Sequence, residues 1–153
     1  MRLPKSLIVL AVVVLAGFSI SLLASASSGA AKAKVTYIKG KVFVKQGKAE
    51  ARRLKLNDEV GPGDLIETQK KSRIEIRLAD QSAIRLGSRS RLVLKKALFA
   101  GPGKKNVSAT LLKGQAYAAV NKLVGKESSF DIKTRTAVAG VRGTAFRINA
   151  LKD

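Results

Sequence analysis

The chain has 153 residues, with 30 Lys and Arg against 10 Asp and Glu, a formal net charge of +20. It contains no His and no Cys, which excludes His-based triads, thiol catalysis, disulfides, lipidation at a leader cysteine and the usual zinc ligand sets. That length fits one globular domain plus a leader. The cationic excess favours anionic partners (nucleic acid, acidic polysaccharide or lipid headgroups) through an attraction that salt screens.

Met1 to Lys5 is a short basic start, and Leu7 to Leu23 is uncharged and mostly apolar. Ala24-Ser25-Ala26 then offers a small-residue cleavage site. This order predicts a secretory signal helix over residues 1–26, removed after Ala26. The alternative is an uncleaved anchor over residues 7–23, since the run is long for a signal core and short for a membrane span. Residues 27–34 are small, polar and basic and read as a linker. The body follows over 35–153.

From Val35 the pattern has period two. Val35 and Tyr37 alternate with polar residues, Gly40 intervenes, and Val42 and Val44 alternate again, which predicts two short strands. Residues 49–54 fit one or two helical turns as well as an extended segment. Gly61-Pro62-Gly63-Asp64 predicts a turn, with proline presetting φ and glycine accepting a positive one. A local repeat comes next. Ser72, Ser82 and Ser90 each open a Ser-x-aliphatic-x-aliphatic unit. Arg73, Glu75, Arg77, Arg85 and Arg91 fall on the face opposite the aliphatics. Beyond a basic loop at 101–106, Val107, Ala109 and Leu111 alternate. Residues 116–124 fit a strand through Ala116, Ala118 and Val120, and equally a helix face through Ala116, Ala119, Val120, Leu123 and Val124. Phe130, Ile132 and Thr134 alternate, as do Phe146 and Ile148 around Arg147.

These signals predict an all-β body of short strands, arranged as a twisted meander or as a β-solenoid-like or sandwich body, behind the signal helix. They do not predict an enzyme. The acids are scattered, no spacing pairs them for acid–base work, and no residue set implies a cofactor or a metal. Asp64 and Asp80 read as turn residues whose carboxylates accept backbone N–H bonds. Gly140-Val141-Arg142-Gly143-Thr144 reads either as an anion nest or as a tight backbone crossing whose arginine ties strands together. Arg73, Arg77, Arg85 and Arg91 form a candidate face for an anionic partner if the strands stack. That segment has no aromatic residue before Phe99, which counts against a nucleic-acid reader.

Thr134-x-Thr136-Ala-Val-Ala-Gly140-Val141-Arg142-Gly143-Thr144-Ala-Phe146 resembles the signature near the end of the FecR domain, the extracytoplasmic domain of bacterial FecR-type regulators. Gly61 to Thr68, Ser72 to Leu86, Leu111 to Ala116 and Ser129 to Thr134 resemble its upstream landmarks in the same order. The resemblance runs from Val35 to Ile148. It implies a non-enzymatic domain that senses or scaffolds in the cell envelope through protein or glycan contacts. Its place would be the periplasm or the medium, or the inner membrane if residues 7–23 stay as an anchor. Family members that relay signals carry a cytoplasmic segment controlling a sigma factor, and only six residues precede the apolar run here, so that activity is not carried over. The implied partners are an envelope protein or an acidic polysaccharide. Relatives also continue into at least one more strand after the signature, so residues 144–150 are expected to offer an edge to a strand-adding partner.

Overall fold

The computed structural model describes residues 31–99 and 104–150. The signal helix, the alternative anchor at 7–23, cleavage at Ala26, residues 27–30 of the expected linker and the loop tip at 101–103 lie outside them. Among the described residues the chain is all-β, with no helix. The strands are β1 (Ala33–Lys39), β2 (Val42–Gln46), β3 (Arg52–Arg53), β4 (Glu59–Val60), β5 (Asp64–Thr68), β6 (Arg73–Arg77), β7 (Ala83–Leu86), β8 (Arg91–Phe99), β9 (Lys105–Ala119), β10 (Ser129–Lys133), β11 (Val138–Val141) and β12 (Ala145–Ala150).

Their pairing makes one curled open sheet built of bent ribbons. Both β7 and β8 run antiparallel to β9, β7 against its C-terminal half and β8 against its N-terminal half. They are therefore successive parts of one ribbon. By the same logic β6 and β5 lie beside β7 and β8, β1 and β2 beside β6 and β5, and β4 and β3 beside β1 and β2. On the far side of β9, β10 pairs its N-terminal half in parallel and β12 its C-terminal half antiparallel. The all-β expectation holds, and the architecture is one curled open sheet. The solenoid-like stacking of the three serine units is corrected. The units of Ser72 and Ser82 form an antiparallel pair, and the unit of Ser90 continues the ribbon of the unit before it.

Each ribbon bends near its middle, and the serines of the repeat mark bends or ends. Ser72, Ser82 and Ser90 are at most 1% exposed. The Ser72 hydroxyl accepts the Lys41 N–H at 2.9 Å, Ser90 accepts that of Gln115 at 2.9 Å, and Ser82 accepts that of Asn121 at 3.0 Å. A bend interrupts the backbone ladder, and a buried N–H left without a partner costs about 1–3 kcal/mol. The hydroxyls supply the missing acceptors. Opposite two of these serines sit glycines with positive φ, Gly40 (81°) facing Ser72 and Gly114 (84°) facing Ser90. A Cβ at Gly114 would come within 2.7 Å of the Ser90 Cα.

The two halves of the bent sheet close over a single core. Val42, Val44, Ile66, Leu92, Leu94 and Leu111 come from one half, and Val35, Ile74, Ile76, Ile84, Leu86 and Ala118 from the other, all nearly inaccessible. Their alternation with exposed residues fixes the register, because a one-residue slip would turn every aliphatic outward.

Several sequence expectations are settled by this packing. Residues 116–119 are strand, and Val124 is 67% exposed, which removes the helix-face alternative. Residues 49–54 form no helical turn. The turn at 61–64 is present, with Gly63 at φ 91° and the Asp64 carboxylate accepting the Gly61 N–H at 2.8 Å. Asp80 likewise accepts the Ser82 N–H at 3.0 Å. The linker reading of Ala33 and Lys34 is corrected. Both belong to β1, and Ala33 is fully buried opposite Val60.

The bend is testable with a pair of glycines. Gly47 also has positive φ, 55°, but nothing lies within 4 Å of an added Cβ. Gly47→Ala should cost about 1–2 kcal/mol for the left-handed backbone alone. Gly114→Ala adds overlap with Ser90, and its cost should reach about 3 kcal/mol or more. Urea unfolding of both variants measures the difference, and equal costs would show that the bend tolerates a side chain.

Candidate functional site: an arginine groove on the outer sheet face

The register of the half-sheet β1–β6–β7–β9–β12 aligns one outward-facing residue from each strand. Tyr37 lies opposite Glu75, Glu75 opposite Arg85, Arg85 opposite Tyr117, and Tyr117 opposite Arg147. At the usual strand spacing the row is about 19 Å long. Beside it runs a second row in which Lys39 faces Arg73 and Gln115 faces Asn149. Gly87 lies between Arg73 and Gln115, donating its N–H to the Gln115 carbonyl at 3.0 Å. Its missing side chain leaves the floor of the second row open.

Glu75 is the keystone of this face. It points outward by alternation yet is only 7% exposed, because its neighbours fold over it. Arg85 Nε and Arg77 Nη2 donate to its two oxygens, and the Thr36 hydroxyl donates to one of them at 3.0 Å. Burial pushes the Glu75 carboxyl up, but the hydrogen bonds from Arg85, Thr36 and Arg77 outweigh it and hold the group below its ordinary range. The same contact holds the Arg85 guanidinium above its usual value. Arg85 also lies over the half-buried Tyr117 ring, 5.7 Å from its centroid, a cation–π contact. Among the described residues Arg85 uses Nε for its bond to Glu75, and its side chain stays 60% exposed. Arg73 and Arg147 have no ion-pair or hydrogen-bond partner among the described residues.

The surface here is concave. A groove of about 330 Å³ is lined by Tyr37, Arg73, Glu75 and Arg85. It adjoins a second of about 240 Å³ lined by Arg73, Arg85, Gly87, Gln115, Tyr117 and Arg147. Arg73 and Arg85 line both, so the depression continues across the strands.

The four arginines expected to form one ladder are thus divided. Arg73, Arg77 and Arg85 share the face. Arg91 lies past the bend, in the other half of the sheet, where it pairs with Glu67 at 3.0 Å beside a separate cleft lined by Lys70, Arg89 and Lys113. Tyr37, Gln115, Tyr117 and Arg147 were not singled out from sequence. They lie at least 24 residues in sequence from the nearest of those four arginines, and only the strand register reveals them.

The signature residues lie apart from the groove. Gly140 and Val141 end β11. Residues 142–144 then cross residues 120–123: the Val120 N–H donates to the Thr144 carbonyl at 3.1 Å, and Gly143, at φ 119°, sits where a Cβ would meet the Lys122 backbone at 2.6 Å. Arg142 donates to the Lys126 carbonyl at 3.2 Å. Phe146 packs against the core from β12.

The FecR protein family model matches residues 64–153, more than half of the chain. The chain belongs to the FecR family. The match takes in β5 to β12, and β1 to β4 complete the same sheet ahead of it. No curated protein and no solved structure matches the chain. Membership is consistent with a periplasmic signalling or sensing role, since FecR proteins are regulatory sensing proteins and their FecR domains are typically periplasmic.

Glu75 gives this FecR domain a pH-dependent contribution to stability. Its folded-state pKa is depressed, so the stabilisation is present above the unfolded value, about 4.3. It is lost as pH falls through the lower folded value. Glu75→Gln should cost about 2 kcal/mol at pH 7, and the gap to wild type should close in acid. Urea unfolding at neutral pH and below about pH 3 measures it. A gap that stays constant with pH would show that the charge of Glu75 contributes nothing.

Proposed function

We propose that this FecR-family chain is a non-enzymatic, exported binding domain that senses or scaffolds in the cell envelope by holding an anionic envelope component in the groove between Tyr37 and Arg147. The observation that carries this reading is the arrangement of Arg73, Arg85 and Arg147. Three guanidinium groups from three strands line one continuous depression, two of them unpaired among the described residues and the third aimed by Glu75 and Tyr117. The excess of +20 supports it from a distance, since it raises the local concentration of any polyanion before contact is made. Export after Ala26 and periplasmic residence belong to the same reading, with the membrane anchor at 7–23 as its alternative. A nucleic-acid module is disfavoured by that location.

The test is binding of the full chain to isolated bacterial envelope material over a range of salt. Wild-type protein should bind at low salt and be released as salt rises. Arg73→Gln with Arg147→Gln should lower the affinity and flatten the salt dependence, with an unchanged far-ultraviolet circular dichroism spectrum. An unchanged salt slope would move the site elsewhere.

A second reading rests on β12, which is paired with β9 on one side only among the described residues. Its other edge, residues 144–150, suits a protein partner that adds a strand. Amide hydrogen exchange measures this. Both sets of β12 amides should be unequally protected in the free chain and become uniformly protected with a partner, and uniform protection in the dilute monomer would remove the idea.

A further inference from the structure

We infer that the groove is built for a linear polysaccharide bearing carboxylate groups, a polyuronate, lying across the strands from Tyr37 to Arg147. This rests on the reading of the groove as an anion site and names the anion.

The first argument is the choice of cation. Lysines outnumber arginines in the chain, yet the side chains lining the two adjoining depressions include Arg73, Arg85 and Arg147 and no lysine. Lysine serves a diffuse anion as well as arginine does. The planar guanidinium fork is distinguished by bidentate recognition of planar oxyanions. The face already holds a carboxylate between guanidinium groups, because Arg77 and Arg85 each donate to one oxygen of Glu75. Arg85 engages it through Nε and lines both depressions, which leaves its terminal pair of nitrogens for a second carboxylate.

The second argument is the aromatic inventory. Tyr117 is half-buried and covered by Arg85, so its ring serves to position that arginine. Tyr37 is 48% exposed at the end of the groove and is the only aromatic platform left open there among the described residues. Single-stranded nucleic acid is held by several platforms on which successive bases stack. One platform instead fits a single sugar ring, whose C–H face packs on the tyrosine while neighbouring rings present their carboxylates to the arginines. Tyr37 and Arg147 stand at the two ends, about 19 Å apart at the usual strand spacing, and a chain of several sugar rings is needed to span them. Gln115, exposed on the floor beside Gly87, supplies an amide that can donate to and accept from hydroxyl groups.

The experiment uses the full chain and four probes: polygalacturonate, dextran sulfate, a single-stranded oligodeoxynucleotide, and neutral dextran, the first three matched in charge. At moderate salt, polygalacturonate should bind at least tenfold more tightly than the other two anions, and neutral dextran should not bind. Tyr37→Ala should weaken polygalacturonate about tenfold and leave dextran sulfate unchanged, because it removes the platform and no charge. Gly87→Leu keeps every charge and fills the floor, and should act in the same way; folding of each variant is checked by thermal unfolding. Equal affinity for the three polyanions, or preference for the oligonucleotide, overturns the polyuronate assignment. If those anions still lose affinity in Arg73→Gln with Arg147→Gln, the anion-binding reading survives that result. If that double variant changes nothing for any probe, both fall.

Discussion

The bends at the ribbon centres are the constraint on which the structure depends. A sheet cannot fold over its own core without breaking its backbone ladder, and each break exposes donors in a dry place. Here the break is closed from the adjacent ribbon. Ser72 reaches the donor beside Gly40, and Ser90 reaches the donor beside Gly114. Thr68 joins them, accepting the Ser90 N–H at 2.8 Å. Hydroxyl and glycine are complementary at this point. The hydroxyl needs close approach to the backbone, and only a residue without Cβ permits it at positive φ. No buried side-chain polar atom is left without a partner among the described residues.

The same bends determine the outer face that carries the groove. Because they pin each ribbon at its middle, the registers of the strands to either side are fixed together. That common register places Tyr37, Glu75, Arg85, Tyr117 and Arg147 in one row. The long strand β9 is the shared member. Its N-terminal half carries the β8 and β10 pairings and its C-terminal half carries β7 and β12. A slip of β9 by one residue would move Tyr117 to the core face and lose the row. Fold and groove are therefore not separable features of this chain.

Much of this was legible in the sequence, and the limits were physical. The aliphatic alternation at 72–94 gave all-β character, and the Gly61–Asp64 turn was readable because its residues act locally. The Ser-x-aliphatic repeat was visible, but its meaning was not. A serine that serves a donor 25 or more positions away leaves no local trace, as Ser72 with Lys41 and Ser90 with Gln115 show. The arginine cluster was visible for the same reason as the alternation. Its aromatic and glutamine neighbours were not, since cross-strand partners are set by topology and not by spacing. Arg91 was grouped with Arg85 because they are close in sequence, and the bend between them separates them.

The distribution of the few acids explains how so basic a chain can still hold some of its cations in a fixed direction. Asp58 is held below its ordinary range by the Lys55 N–H and by Arg52. Asp64 and Asp80 close turns, and Glu59, Glu67, Glu127 and Asp131 each sit beside one cation. Exposed pairs of this kind add little stability, typically under about 1 kcal/mol each. They do, however, consume nearly all of the negative charge in local contacts, so the remaining cations act together as a long-range field. Such a field repels itself and attracts anions without regard to their kind. Selectivity has to come from a place where cations are oriented and not merely present. Glu75 supplies that orientation: it neutralises part of the charge of the face and in exchange fixes two guanidinium groups in direction. The acid beside the basic groove thus lowers the net charge of the face and fixes the direction of two of its guanidinium groups.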